Sequence, residues 1–480
     1  MAFAKVLMES FMSPIREITP YVKSHWNKIK RIKYQIMKTL IKFSVILMIM
    51  LAAHGCSSDD RAIITEPEGT VEEVKTPTIS EINPTKGPKE TEVSITGKNF
   101  GTDPNRVEVY FNDNLGTIKE VTDNQIKVVV PQMPGYASGT GNIVVKVENM
   151  VLDGPEFTYL STGLVSTYSG SSEGDDDGPL EQAKYSRPIG IAMDNLGHIY
   201  IADAENHRIR QIAPDGSVIT LAGGKAGDND GVVSLALFDN PRGIAVDELG
   251  TIYIADFNNH KIKKITNVGI VVTVAGSTEG FQDGQGTEAK FAYPEDIALD
   301  GQGNILVADG YNSRIRKISP DGEVTTLAGG DEGFADGPSH LAQFYYPSGL
   351  AVDEDGNIFV VDEGNHKIRK ITPEGMVSTL AGSDNGYADG FGIEAAFQYP
   401  SRLATDANGN VYVTDLFNYK IRKITPDGLV STLSGSDKGN RDGLGEEAQF
   451  DALHGIVVDE QETVFVVDTG NNSIRKIIQE

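Results

Sequence analysis

A repeat of 53 residues governs the chain from Gly163 to Glu480. Five repeats place a proline before an apolar run at the same register, namely Pro188, Pro241, Pro294, Pro347 and Pro400. In the sixth repeat Leu453 occupies this register. The segment holds 318 residues, which is six periods without an insertion. A fixed period of this length is typical of solenoids, propellers and arrays. Six equal units favour a structure that closes on itself.

Each repeat contains four short apolar runs separated by turn residues. In Tyr346–Gly382 the runs are "GLAVD", "NIFVVD", "KIRKI" and "MVSTLAG", and the breaks include "DEDGN" and "TPEGM". Gly and Pro supply the tight turns, while β-branched residues fill the runs as strands favour. Helical periodicity is absent. The pattern predicts an all-β fold in which six four-stranded antiparallel meanders form a six-bladed β-propeller.

The stretch "GLVSTYSG" at Gly163–Gly170 lacks the three strands that precede its near copy "GLVSTLSG" at Gly428–Gly435. The two stretches are 265 residues apart, or five periods. The last repeat ends after its third run, "SIRKI", without a fourth strand. We therefore expect Gly163–Gly170 to complete the last blade and close the ring, which would leave no unpaired edge between the ends of the propeller.

The beginning of the chain has the layout of a signal peptide. Met37–Lys42 is basic and Phe43–Ala53 is an apolar core of 11 residues, too short to span a bilayer. Residues 37–55 are thus the predicted signal peptide, Met37 the predicted start, and residues 1–36 an upstream extension outside the natural protein.

The only cysteine, Cys56, follows this segment directly. "LAAHGC" resembles a bacterial lipobox, and "SSDD" resembles the tag that directs lipoproteins of the Bacteroidota to the cell surface. The resemblance implies lipidation of Cys56, an acidic tether over residues 56–75, and an outer-membrane protein facing the cell exterior. The alternative is an ordinary cleaved signal followed by a spare thiol.

The charge of the chain excludes one class of partner. The net charge is −26, and residues 1–55 are basic, so the remainder carries about −33. Such a surface does not bind nucleic acid in general, because phosphate backbones need neutralising cations. It also disfavours adsorption to anionic lipid headgroups. We expect a soluble monomer that contacts the membrane only through its acyl anchor.

Two families are recognisable by resemblance. Residues 76–160 alternate in short strands, and "INPTKGPKETEVSITGKNFG" resembles the opening of IPT/TIG domains. This implies a small immunoglobulin-like β-sandwich that acts as a spacer or, alternatively, binds a ligand directly. "ADAENHRIRQI", "ADFNNHKIKKI" and "VDEGNHKIRKI" resemble the signature of NHL repeats, which implies an NHL propeller over residues 161–480. This fold alone does not specify a function.

Residues present in every repeat are expected to have structural roles. Two aspartate registers recur in all six repeats, and we expect their oxygens to accept backbone N–H bonds in turns. They are Asp177, Asp230, Asp283, Asp336, Asp389 and Asp442, and Asp203, Asp256, Asp309, Asp362, Asp415 and Asp468. The repeat-signature residues His207, His260 and His366 are predicted to be structural as well.

Function should lie where the blades differ. The linker into the first strand and the loop between the second and third strands emerge on one face of a meander blade. At the end of the linker three consecutive repeats carry a tyrosine, and in several repeats an ionisable residue stands two or three positions after this register. The candidate binding residues are Tyr293, Tyr346, Tyr399, Arg242, Glu295, Asp296, Arg402 and His454, with Phe257, Tyr311 and Phe417 from the second loop.

Aromatic side chains stack on sugar rings or fill protein hot spots. The sequence therefore predicts a non-enzymatic protein whose propeller captures a glycan, with an envelope protein as the alternative partner. The tyrosines could instead only pack the linkers over the blades. A glycan site would lack tryptophan, since Trp26 precedes the predicted start.

An enzyme is the weaker alternative. The lyase half of the peptide-amidating enzyme resembles these repeats and binds zinc through histidines just after the blade-opening proline, where this chain has only His454. Gluconolactonase-like propellers hold a divalent ion with Glu, Asn and Asp, and Glu295 and Asn240 do not complete such a set. No catalytic residue, metal ion or cofactor is assigned.

Overall fold

A computed structural model describes residues 76–131, 139–160, 162–170 and 172–479. The predicted signal peptide, Cys56 and the tether lie outside the described residues. Within these ranges the regular structure consists of β-strands and single-turn 3-10 helices, and no helix there is long and apolar enough to cross a membrane.

The immunoglobulin-like domain consists of two sheets. In order across the first sheet, the strands are Thr78–Asn83, Glu92–Lys98, Gln125–Val129 and Thr117–Thr122. The second sheet contains Lys86–Gly87, Met150–Tyr159, Gly139–Val147, Val107–Phe111 and Asn114–Leu115. Alternate residues of both sheets, among them Ile95, Ile126 and Val145, are fully buried between them. This alternation produces the predicted sandwich.

The repeats form six five-stranded sheets. Each sheet contains the four predicted strands and one further short strand at its outer edge. The predicted four-stranded meander is present in every blade. The sequence analysis did not predict this fifth strand. It consists of two linker residues that pair with the fourth strand; in blade 1, for example, Gly178 lies opposite Val218. It arises because the linker passes the exposed edge of the blade and satisfies backbone groups there.

The strand bounds of blades 1 to 3 follow, from first to fourth strand and then the outer strand. Blade 1 contains Pro188–Met193, Ile199–Asp203, Arg208–Ile212, Ser217–Gly223 and Gly178–Pro179. Blade 2 contains Pro241–Val246, Ile252–Asp256, Lys261–Ile265, Ile270–Gly276 and Gly231–Val232. Blade 3 contains Pro294–Leu299, Ile305–Asp309, Arg314–Ile318, Glu323–Gly329 and Gly284–Gln285.

Blades 4 to 6 repeat the arrangement. Blade 4 contains Pro347–Val352, Ile358–Asp362, Lys367–Ile371, Met376–Ala381 and Gly337–Pro338. Blade 5 contains Pro400–Thr405, Val411–Asp415, Lys420–Ile424, Leu429–Ser434 and Gly390–Phe391. Blade 6 contains Leu453–Val458, Val464–Asp468, Ser473–Gln479, Gly163–Ser169 and Gly443–Leu444.

Short 3-10 helices connect the second and third strands of each blade. They are Ala204–Asn206, Phe257–Asn259, Gly310–Asn312, Glu363–Asn365, Leu416–Asn418 and Thr469–Asn471. Further single turns are Pro104–Arg106 in the sandwich and Gly286–Glu288, Gly392–Glu394 and Gly445–Glu447 in the linkers.

The ring closes as predicted. The strand Gly163–Ser169 is the fourth strand of blade 6 and runs antiparallel to Ser473–Gln479, with Gly163 opposite Gln479 and Val165 opposite Ile477. The first strands of neighbouring blades contact one another around the whole ring, including those of blades 6 and 1. Apolar cores lie between adjacent blades; one of them combines Leu306 and Ala308 of blade 3 with Leu350 and Val360 of blade 4.

The repeated aspartates do more than form turns. Asp203 accepts the backbone N–H of Ser186 at 2.8 Å, as expected, but its other oxygen accepts from Arg210 at 3.0 Å. Arg210 is fully buried and also donates to Asp177 at 2.6 Å. The same buried cation recurs in every blade: Arg210, Lys263, Arg316, Arg369, Arg422 and Arg475. The two aspartate registers therefore hold a buried cation between them, which fixes the linker to the blade.

Candidate functional site

The three predicted tyrosines occupy a left-handed backbone position. Tyr293, Tyr346 and Tyr399 have φ values of 53°, 54° and 50°, a conformation that bulky residues seldom adopt. The backbone N–H groups of Tyr293 and Tyr399 donate to Nδ1 of His260 and His366, each at 3.2 Å. The same histidine rings lie 4.5 Å from the tyrosine rings. The repeat-signature histidines therefore fix the ends of the linkers, a structural role that agrees with the sequence-based expectation.

Four of the predicted aromatic residues form a continuous row across blades 2 to 4. Neighbouring ring centroids are separated by 5.0 Å from Phe257 to Tyr293, 4.8 Å from Tyr293 to Tyr311, and 5.2 Å from Tyr311 to Tyr346. The linkers and second loops thus meet on one face, as the meander predicts. Such contacts stabilise an aromatic surface by mutual packing.

The members of the row differ in exposure. Tyr311 is 62% exposed, whereas Phe257 is 6% exposed. The guanidinium of Arg242 lies 3.3 Å from the centre of the Phe257 ring and covers it. Phe257 therefore supports Arg242 and does not offer a face to a ligand. Tyr399 and Phe417, 5.5 Å apart, form a second, exposed pair on blade 5.

Glu295 is the centre of a buried polar cluster near the axis, which we call the axial cluster. Its side chain is 3% exposed. Oε1 accepts from Arg242 at 2.6 Å and from the Tyr346 hydroxyl, and Oε2 accepts from Arg402 at 3.2 Å. Burial alone would raise the pKa of Glu295, but the two arginines and the tyrosine hydroxyl hold it below its ordinary value. Glu295 is thus an ionised carboxylate with both oxygens satisfied.

Asp296 and Arg402 replace a glycine that the other blades need for close packing. A Cβ placed on Gly190 would lie 1.9 Å from the backbone oxygen of Arg242 in the next blade. At the same register Asp296 accepts the backbone N–H of Leu350 in the next blade at 3.0 Å, and its pKa rises to about 6, chiefly because it is buried. Arg402 reaches inward to Glu295 instead. The two substitutions convert a backbone contact into a polar network.

The sequence analysis missed Glu363, which lies beside this network. Burial and the charge of Glu295 raise its pKa to about 7, while the Ser348 hydroxyl acts in the opposite direction. The register of Glu363 holds Ala204, Phe257, Gly310, Leu416 and Thr469 in the other blades. That comparison could have revealed it, because Glu363 is the only acidic residue at this register of the second loop.

His454 lies at the register of Glu295 in blade 6. Its Nδ1 is 3.0 Å from both the backbone oxygen of Ala452 and the Thr469 hydroxyl. Burial, with a contribution from the charge of Arg402, lowers the pKa of His454 to about 4. His454 is therefore neutral at physiological pH and takes part in hydrogen bonds within its own blade.

A pocket of about 330 Å³ opens between the second loops of blades 3 and 4. We call it the tyrosine pocket. It is lined by Tyr311, Tyr345, Tyr346, Tyr399, Glu332, Glu363, Gly310, Ser313 and Gly364. Three of the predicted candidates thus share one cavity, while the sequence analysis did not single out Tyr345 or Glu332. A Cβ on Gly364 would lie 2.6 Å from the Tyr345 ring, so the glycine permits that ring to pack onto the turn.

Two further depressions lie on the opposite face, where the first strand of a blade turns into the second. They have volumes of about 470 Å³ and 280 Å³, and Asp353–Asn357 contributes to both. Their walls consist largely of the turn between the first and second strands, which every blade contains, so the two depressions follow from the repeat. The tyrosine pocket is instead built from residues that differ between blades.

The polar groups of the axial cluster mainly neutralise one another. Within the described part of the chain, no group of three or more His, Cys, Asp or Glu side chains is arranged to hold a metal ion. Glu363 is the acidic group whose side chain reaches both the axial cluster and the tyrosine pocket. The arrangement can therefore present aromatic faces and acceptor oxygens to a ligand.

Comparison with known families agrees with this architecture. The IPT/TIG domain model matches residues 77–159, and the NHL repeat model matches residues 185–212, 238–265, 291–318 and 344–371. The chain carries an IPT/TIG domain followed by NHL repeats. The NHL matches cover the first three strands of blades 1 to 4, with the end of the linker before each.

Relatives of the NHL segment occur in longer proteins. The chain is 30% identical over 338 residues to protein SUPPRESSOR OF QUENCHING 1, chloroplastic, of Arabidopsis thaliana, covering 64% of this chain and 31% of the relative. It is 28% identical over 333 residues to NHL repeat-containing protein 2 of Homo sapiens, covering 60% of this chain and 46% of the relative. The chain thus spans less than half of the length of these relatives, 31% of the first and 46% of the second.

Solved structures from Bacteroides thetaiotaomicron share the fold along nearly their whole length. A protein of unknown function is 25% identical with a TM-score of 0.53, covering 86% of this chain and all of that one. An auxiliary nutrient binding protein is 20% identical with a TM-score of 0.53, covering 85% and 98%. A protein described as a putative phosphatase is 18% identical with a TM-score of 0.52, covering 85% and 98%. At these identities the last two likenesses show the fold alone.

Proposed function

We propose that the propeller is a non-enzymatic binding module that captures a glycan in the tyrosine pocket. The observation that carries this proposal is the pocket itself, in which four tyrosine side chains and two glutamates surround a cavity of about 330 Å³. Aromatic faces bind the apolar faces of sugar rings, and carboxylate oxygens accept hydrogen bonds from sugar hydroxyls. The volume lies at the lower end of the usual range for small-ligand sites.

The axial cluster supports binding over catalysis. Glu295 is ionised between Arg242 and Arg402 and therefore has no proton to give as a general acid. Glu295 also accepts a hydrogen bond from the Tyr346 hydroxyl and so holds this ring in place at the wall of the pocket. Fixed aromatic rings lose little conformational entropy when a ligand binds.

One observation favours an enzyme as the second candidate. The pKa of Glu363 is about 7, the range that suits a general acid or base at neutral pH. The fold does not decide between the two candidates, because similar structures include both a nutrient binding protein and a putative phosphatase. An enzyme would convert a ligand that a binding protein returns unchanged.

The location predicted from the sequence belongs to the same proposal. Lipidation of Cys56 would attach the chain to the outer membrane, and the acidic tether and the IPT/TIG domain would extend the propeller away from the lipid. A surface that carries about −33 charges disfavours contact with anionic headgroups. We infer that the protein faces the cell exterior, where glycans are available.

The test is binding of the purified full chain to a panel of polysaccharides, with and without a chelator. We expect chelator-insensitive binding that the Tyr293→Ala/Tyr346→Ala/Tyr399→Ala variant loses. Tyr311→Ala is the milder variant, because this ring is 62% exposed and its loss should leave folding intact. Tyr387→Ala is the matched control, since Tyr387 is 47% exposed and lies beside the fourth strand of blade 5.

Other outcomes assign other functions. Absence of binding across the panel, with salt-sensitive capture of an envelope protein, would favour the protein partner. Products released from any polysaccharide, lost in Glu363→Gln, would favour the enzyme.

A further inference from the structure

We propose that the tyrosine pocket receives an organic ammonium group, so that the glycan it captures carries an amino-substituted sugar. This inference rests on the proposed function, because it names the chemical class of the ligand for the same pocket.

The first support is the arrangement of the aromatic rings. Tyr311, Tyr345, Tyr346 and Tyr399 line one cavity, and the rings of Tyr311 and Tyr346 meet nearly edge to face at 81°. An aromatic ring is negative on its face, so several rings turned at different angles attract a cation placed between them. Tyrosine is among the residues that form such sites for quaternary ammonium groups.

The second support is the charge of the lining. The part of the lining that the structure describes contains Glu332 and Glu363 and neither lysine nor arginine. The two arginines of the axial cluster do not compete for the pocket, because Arg242 and Arg402 are both paired with Glu295. The ionisable carboxyl groups of the lining can therefore only add negative charge to the pocket, and the chain as a whole carries a net charge of −26.

The third support is the position of Glu363 in the second loop of blade 4. The groups that face it are the Ser348 hydroxyl on its own blade, the Tyr346 hydroxyl from the linker into that blade, Glu295 of blade 3, and the more distant guanidiniums of Arg402 and Arg242. Burial and Glu295 disfavour the charged carboxylate and raise its pKa to about 7. A cation in the pocket would stabilise that carboxylate, so binding should release a proton below pH 7 and strengthen as the pH rises from 5.5 to 8.

The experiment compares choline with 3,3-dimethylbutan-1-ol by calorimetry on the full chain. The two probes have the same shape, and only choline carries a charge, which does not titrate. We expect choline to bind at least tenfold more tightly than the neutral probe. The affinity for choline should increase severalfold between pH 5.5 and pH 8.

Two variants test the role of the carboxylate. Glu363→Gln keeps the shape of the side chain and should weaken choline binding at pH 8 at least fivefold and remove the pH dependence. Glu354→Gln removes the same charge from an exposed position of blade 4 on the opposite face, and it should leave binding unchanged. A melting temperature for each variant verifies folding.

Equal affinities for choline and its neutral isostere, or no binding of choline, would overturn the inference. So would choline binding that Glu363→Gln and Tyr311→Ala leave intact, since the cation would then lie elsewhere.

A second arm separates this inference from the proposed function. Chitosan and glucosamine are compared with cellulose and glucose on the same protein. If neutral glycans bind and Tyr311→Ala abolishes that binding while choline fails, the glycan proposal stands and the ammonium inference falls. If choline binds in the pocket and no polysaccharide does, the pocket receives a cation and the glycan proposal falls. A preference for the amino forms supports both.

Discussion

Arg402 of blade 5 donates two hydrogen bonds to Glu295 of blade 3, one to Oε2 at 3.2 Å and one to the backbone oxygen at 3.0 Å. The two residues are 107 positions apart, with blade 4 between them in the ring. Neighbouring blades hold one another through apolar cores, but this pair joins blades that do not share a core. The axial cluster is therefore a brace across the ring as well as the floor beneath the tyrosine pocket.

Removal of the negative charge of Glu295 should destabilise the propeller. Glu295→Gln should lower the free energy of unfolding by about 3–5 kcal/mol, because it leaves Arg242 without its buried carboxylate and Arg402 with only the more distant Asp296, at 3.7 Å. Urea denaturation measures the change. Glu288→Gln, an exposed glutamate in the linker into blade 3, is the control and should have little effect. Equal midpoints for the two variants would show that the brace contributes nothing to stability.

Glu363 predicts a pH dependence of stability. Its pKa is about 7 in the folded protein and 4.5 in an ordinary glutamate, so the folded state retains the proton more tightly. Stability from this group is complete below pH 4.5 and is lost as the pH rises towards 7. Glu363→Gln should therefore raise stability at pH 8 by about 1–2 kcal/mol, after allowance for partial exposure, and have little effect at pH 4.5. Thermal unfolding of the variant and the parent at both pH values checks the sign.

Ring closure predicts a contrast between neighbouring residues of one strand. Val165 is buried in the apolar core between blades 5 and 6, whereas Leu164 is 40% exposed. Val165→Asp should lower the free energy of unfolding by about 3 kcal/mol or more, because it buries an unpaired carboxylate. Leu164→Asp should cost far less. Deletion of Gly163–Gly170 should lower the melting temperature more than either substitution, and an unchanged melting temperature would refute closure by this strand.

The buried arginines predict a similar contrast on a third strand. Arg316 is fully buried and donates to Asp309 at 2.7 Å and to Asp283 at 2.5 Å. Arg316→Met should cost about 3–5 kcal/mol, because Asp309 would remain buried without its partner. Lys317→Met, on the other side of the same strand, should cost less than about 1 kcal/mol. Guanidinium denaturation of both variants provides the comparison.

The propeller could be predicted from the sequence because the same pattern of strands and turns recurs every 53 residues. A period of 53 residues, turn residues at fixed offsets and the displaced fourth strand determine the number of blades, the meander and the closure. Each of these features recurs from repeat to repeat, so a repeat with an atypical residue, such as Leu453 in place of proline, can be interpreted from the others. The outer strand escaped prediction because two residues such as Gly178 and Pro179 carry no strand pattern of their own.

The candidate site was only partly predictable, because it depends on contacts between blades. Comparison of the repeats identified Glu295, Asp296 and Arg402 as candidates. It could not show that Arg402 of blade 5 donates to Glu295 of blade 3, two blades away. It also placed Phe257 on a surface, whereas the cation of Arg242 covers it. Glu363 was missed because an acidic residue in a loop normally faces solvent, and only the packing of blades 3 to 5 turns it inward.

The pairing of Gly163 with Gln479 also sets an order of events. The strand Gly163–Ser169 leaves the ribosome before any complete blade, yet its partner strand is synthesised after five blades and two strands of the sixth. Contacts of such long range form slowly, and an early strand with unpaired edges is exposed to association with other chains until they form. The propeller can therefore close only after residue 479 has been synthesised, and until then we expect chaperones to bind the unpaired strand Gly163–Ser169.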